Sequence, residues 1–99
     1  MPDPRIFPVP TVVNDYVTVL AVTTVVRPVN QKRVSLDLVN DGDNVIYLSL
    51  GEAAVLGNGL RLNANGGSYH IGTSNLWLGT INGISAGLTN LTISEGERP

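Results

Sequence analysis

Ninety-nine residues with a formal net charge of −2, 14% charged residues and no cysteine allow one domain with one modest core and exclude a disulfide or a thiolate metal site. The basic residues are scattered as Arg5, Arg27, Lys32, Arg33, Arg61 and Arg98, and only Lys32 and Arg33 are adjacent. That argues against a nucleic-acid partner, because counterion displacement needs clustered Lys and Arg. The charged fraction lies well below the average of about 25% for soluble domains, which suits a surface covered by other subunits or facing uncharged polar ligands.

The first ten residues read as an extended arm carrying Pro2, Pro4, Pro8 and Pro10. Proline fixes φ and keeps its predecessor extended. Arg5, Ile6 and Phe7 are the arm's candidate partner contacts. Burying an apolar side chain of this size yields about 1.5–3 kcal/mol, while ordering each residue costs about 1–2 kcal/mol. The arm therefore either docks, on its own sheet or a neighbour's, or frays.

Residues 11–26 are rich in β-branched side chains and read as one long strand or two short ones. Val17, Val19 and Ala21 alternate with Leu20 and Val22, so both faces are apolar, as in a strand covered on both sides. Residues 17–26 form the longest apolar stretch. They amount to about half a membrane span and are interrupted by Thr18, Thr23 and Thr24. With no apolar run of signal-peptide length at residues 1–10, the chain is expected to be made in the cytoplasm and to stay out of the membrane.

Residues 33–50 carry the strongest local pattern. Val34, Leu36 and Leu38 alternate with Arg33, Ser35 and Asp37. Ile46, Leu48 and Leu50 alternate with Val45, Tyr47 and Ser49, and Asp41-Gly42-Asp43-Asn44 lies between. Alternation on both sides of an Asp-Gly turn predicts a β-hairpin. Residues 51–59 read as a loop, with Ala53 to Leu56 the one candidate for a helical turn. Leu60, Leu62 and Ala64 restart the alternation, Asn65-Gly66-Gly67 is a turn, and Tyr69 with Ile71 marks a short strand. Leu76 and Leu78 suggest another. Gly83 and Gly87 suggest a bulge or tight bend. Leu91 and Ile93 form a closing strand, followed by a polar tail from Glu95. The expected fold is all-β: a single small antiparallel β-sandwich or barrel-like domain (11–95), with the arm (1–10) before it and a short tail (96–99) after it.

Several constellations invite a chemical reading. Gly83-Ile84-Ser85-Ala86-Gly87 matches the nucleophile-elbow spacing, but that device needs a strand turning into a helix, and a strand is expected to follow. His70, the one histidine, has no obvious metal partners. Asp41, Asp43 and Asn44 could offer oxygens to calcium, yet the EF-hand spacing is missing and these residues are also what tight turns prefer. No cofactor is expected. Tyr69 and Trp77 are the candidate interface or ligand face. If Leu76 and Leu78 are core, alternation turns Trp77 outward; a strand buried on both faces would hide it.

The succession of Arg33 to Asn40, Val45 to Gly51, Gly59 to Leu62, Leu78 to Ala86 and Asn90 to Glu95 resembles small β-rich virion structural proteins of tailed bacteriophages, of the capsid-decoration or head-fibre type. The resemblance spans residues 33–95. It implies a non-enzymatic protein located in the virion, bound to the major capsid protein or another virion protein around symmetry axes, and assembled as a homo-oligomer such as a trimer. The arm is similar to those with which some decoration proteins grip capsid subunits. A carbohydrate- or receptor-binding module stacking sugars on Tyr69 or Trp77 is the alternative.

Overall fold

The computed structural model describes residues 11–98. Eight strands follow one another: β1 (Thr11–Val19), β2 (Thr24–Arg27), β3 (Arg33–Asn40), β4 (Ile46–Leu50), β5 (Leu60–Leu62), β6 (Ser68–Ile71), β7 (Ile81–Ser85) and β8 (Thr89–Glu97). They form two four-stranded antiparallel sheets, ordered β1-β8-β3-β6 and β2-β7-β4-β5.

The register shows how the chain gets there. Paired residue numbers have nearly the same sum in four strand pairs: Thr11 with Glu97, Thr24 with Gly83, Leu36 with Ile71, and Ile46 with Leu62. A constant sum means one continuous antiparallel ribbon, with its tip in residues 51–59. The two remaining pairings, β3 with β8 and β4 with β7, share a second constant sum, as in Leu36 with Glu95 and Ile46 with Ser85. The long hairpin has rolled up so that its two arms pair a second time. This wiring is the eight-stranded jelly roll, a double-sheet β-sandwich.

The core lies between the sheets. Val19, Leu36, Leu38, Ile71, Leu91 and Ile93 come from one sheet, and Val26, Ile46, Leu48, Leu62 and Ile81 from the other. These are the inward positions that strand alternation selects. Gly83 faces the same space. A Cβ there would stand 3.0 Å from Val26 Cγ2 and 3.4 Å from Leu48 Cδ2, so glycine leaves room for the inward side chains of the two strands that flank it, β2 and β4.

Several expectations are corrected. Residues 33–50 do form two strands with the predicted inward faces, but they are not a hairpin. β3 and β4 belong to different sheets, and residues 41–45 arch between them. A two-residue type I′ hairpin turn needs positive φ at both central residues, and Gly42 does not have it. Alternation reports which face of a strand is buried, not which strand lies beside it. Here both inward faces meet across the core instead of lying side by side.

Residues 11–26 split at 20–23, where the Thr24 hydroxyl accepts from Leu20 N (3.3 Å) and donates to Val22 O (2.9 Å). The strand expected to be covered on both faces is an exposed edge: Val12 and Tyr16 are 57% and 66% exposed. Residues 51–59 contain no helical turn, and residues 72–80 are loop, not strand. Of the bulge or tight bend expected at Gly83 and Gly87, the bend is present at residues 86–87, whereas the register shifts lie on β2, between Val25 and Arg27, and on β3, between Arg33 and Ser35. The expected tail from Glu95 instead continues β8 to Glu97, and Arg98 N donates to Lys32 O. Among the described residues no helix is long and apolar enough to cross a membrane.

Candidate functional site

Each end of the sandwich is closed by a buried polar cluster. At one end, Arg33 and Glu95 are both nearly inaccessible. Arg33 Nε donates to Glu95 Oε2 (2.6 Å), Nη1 to the carbonyls of Trp77 (2.9 Å) and Gly79 (3.1 Å), and Nη2 to Pro28 O (2.9 Å). Arg27 Nη2 donates to Glu95 Oε1 (2.8 Å), and its Nη1 reaches Asp15 Oδ2 (3.2 Å). Burial alone would raise the Glu95 pKa. The hydrogen bonds and positive charges of Arg27 and Arg33 outweigh it and hold the carboxyl below its ordinary value. The cluster ties β1, β2, β3, β8 and the 72–80 loop together.

At the other end the work is done by amides. Buried Asn40 donates through Nδ2 to Asn44 O (2.7 Å) and Leu62 O (3.2 Å). Its Oδ1 accepts from Gly42 N (3.1 Å) and Thr89 Oγ1 (3.0 Å). Every donor and acceptor of that side chain is used. Gly42 is required by crowding: a Cβ would collide with Thr89 Oγ1 and stand 2.9 Å from Asn90 N. Asn65 takes the left-handed conformation that asparagine tolerates, with φ of 59°. Turned with Nδ2 toward them, its amide donates to Gly42 O (3.3 Å) and Asp43 Oδ1 (3.1 Å).

The residues that looked chemical have structural surroundings. Ser85 is fully buried, and β8 rather than a helix follows its strand, so no elbow forms. His70 lies on the outer face of the first sheet, with Nδ1 2.6 Å from Asp37 Oδ1. It is a cross-strand pair between β6 and β3, well exposed and therefore of modest energetic weight. Asn44 spends its amide on Leu88 O (3.1 Å). Among the described residues no three His, Cys, Asp or Glu side chains gather as a metal site would require.

The candidate ligand face is distributed differently from the alternation reading. Tyr69 stands opposite Leu38 in register and packs against the core. Trp77 also packs against the core, and its Nε1 donates to Thr80 O (3.1 Å). Its ring lies so close to Gly51 and Gly79 that a Cβ on either would meet it within 3.0 Å. Leu76, expected in the core, is 43% exposed. Outside a strand the two-residue rule carries no information, and the glycines that admit the ring are remote from it or unremarkable in sequence. Arg5, Ile6 and Phe7 lie outside the described residues. An open cleft of about 610 Å³ is lined among others by Asp43, Asn44, Tyr47 and Leu56, which the arch and the ribbon tip bring together on either side of β4.

The most distinctive surface is the side of the sandwich bounded by β1 and β2. Along these strands and the segments that follow them, Val12, Val13, Tyr16, Leu20, Val22, Val25 and Val29 are exposed. From Thr11 to Val29 the charged residues are Asp15 and Arg27, which pair with each other. The other edge strands, β2, β5 and β6, have four, three and four residues, whereas β1 has nine. Its register with β8 runs unbroken from Thr11 to Val19. Among the described residues, nothing pairs with its other edge. Comparison with protein-family models, curated proteins and solved structures finds no match to this chain.

Proposed function

We propose that this chain is a non-catalytic virion structural protein, a decoration or cement subunit that binds the capsid surface of a tailed bacteriophage. The observation that carries the reading is the edge of β1: long, regular, nearly uncharged and flanked by exposed apolar side chains. Such edges are templates for pairing with another chain, and proteins that stay apart blunt them with charges, bulges or short strands. Three further points support it. The buried Arg, Glu and Asn side chains are spent on holding the two ends of the sandwich shut. The jelly roll is a framework found in viral capsid proteins as well as in lectins; this is analogy of fold. The strand succession resembles phage decoration proteins. The mechanism is mechanical: the domain bridges neighbouring major capsid protein subunits, and burial of apolar and uncharged polar surface opposes internal pressure.

The test is quantitative mass spectrometry of purified phage particles carrying this gene. The chain should be present at a fixed multiple of the capsomer number and should rebind stripped particles saturably. Its absence from intact particles would overturn the reading.

The cleft beside Tyr47 favours a second reading, a carbohydrate-binding module. An aromatic ring beside the Asp43 carboxylate is the chemistry that stacks a sugar and binds its hydroxyls. Under that reading Tyr47→Ala removes binding to a glycan array while the fold persists. A wild-type array without signal counts against it.

A further inference from the structure

We infer that the open edge of β1 is the docking site for residues 2–10 of a second copy of this chain, which add to it as an extra strand. The inference shares with the proposed function the premise that the chain is an assembly subunit. It is tested on the isolated protein, so its failure leaves particle binding to be judged separately.

Three observations carry it. The first is the acceptor. β1 offers nine residues of regular backbone, with no bulge and no lysine or proline along its length. At about 3.4 Å per residue that edge is roughly 30 Å long.

The second is the donor. The ten residues before Thr11 can span about 33 Å when extended, enough to cover the whole edge. Their prolines fall at positions 2, 4, 8 and 10 and so share one parity. In an extended strand the N–H and C=O of alternate residues point to opposite edges. The even edge therefore lacks donors at all but Ile6. The odd edge keeps the N–H groups of Asp3, Arg5, Phe7 and Val9. This is a one-sided strand: it can pair with one neighbour and it blocks a third from adding.

The third is the topology. The segment joins β1 directly at Thr11. To lie on its own β1 it would have to reverse within Pro8-Val9-Pro10. Tight two-residue hairpin turns need positive φ, which proline cannot adopt and valine avoids. The segment is thereby directed away from its own edge and toward another copy's. Each copy gives one strand and receives one, and the exchange leaves no strand or edge unpaired when it closes as a reciprocal pair or a ring. The prolines on the outer edge keep a further strand from adding to the sheet there.

The experiment is light scattering after size exclusion on the full chain, together with Ile6→Pro, Phe7→Pro and Val9→Pro variants and hydrogen exchange at β1. The full chain should run as a closed oligomer. F7P and V9P remove donors from the pairing edge and should shift the mass to that of a monomer, with β1 amide protection falling at least tenfold. I6P adds a proline to the edge already blocked and should leave mass and protection unchanged. Thermal unfolding of each variant reports whether the sandwich itself is intact. A monomeric wild type overturns the inference, including one whose β1 amides are protected, since that places the segment on its own edge. An oligomer equally sensitive, or equally insensitive, to I6P and F7P also overturns it.

Discussion

β1 and β8 have the same length and pair with each other from end to end, Thr11 with Glu97 through Val19 with Thr89, yet they are opposites. β8 lies between β1 and β3, and its inward residues Leu91, Ile93 and Glu95 are all buried. Among the described residues β1 has one neighbour, and Val12, Val13 and Tyr16 are exposed. The difference is one of position in the sheet and not of composition: both are strands of β-branched and small polar residues. A strand with two neighbours serves stability. A long, regular strand with one neighbour, no bulge and no proline is available for assembly.

The largest expected loss comes from the charged end of β8. Glu95→Ala leaves Arg33 buried without its counter-ion and should cost about 3–5 kcal/mol, read as a lower denaturant midpoint at unchanged slope. Leu91→Ala, in the core of the same strand, should cost about 2–5 kcal/mol. Acid should act through the same glutamate. Its folded pKa lies below the ordinary 4.5, so its contribution is complete above that pH and is lost as pH falls through the lower folded value. The wild type's melting temperature should therefore fall more steeply below pH 4.5 than that of Glu95→Gln; parallel curves would contradict the clamp. The smallest effect belongs to β1. Tyr16→Lys should change the unfolding free energy by no more than about 0.5 kcal/mol, while lowering the assembled fraction seen by light scattering. A loss as large as that of Leu91→Ala would erase the contrast between the two strands.

Much of the fold was legible. Alternation located the inward residues of β3, β4, β5, β6 and β8, because each side chain obeys the pleat locally. Pairing was not legible. The Asp-Gly sequence at 41–42 looks like a hairpin turn, whereas its geometry is set by Asn40, Thr89 and Leu62, residues brought together only by the rolled ribbon. The Arg33–Glu95 clamp left one trace, a charge at an inward position after Leu91 and Ile93, which reads just as well as the start of a polar tail. Trp77 was assigned by a rule that holds only in strands. The apolar stretch at residues 17–26 was visible in the sequence. Its placement at an open edge, not in the middle of a sheet, is a matter of topology.

The central claim is that β8 closes the fold and β1 remains open for assembly. Residue-resolved hydrogen exchange on the full chain over a dilution series addresses it most directly. β8 amides should exchange at the rate of global unfolding at every concentration, and protection along the outer edge of β1 should decay as the protein is diluted. Concentration-independent protection of β1 equal to that of β8 would contradict the account.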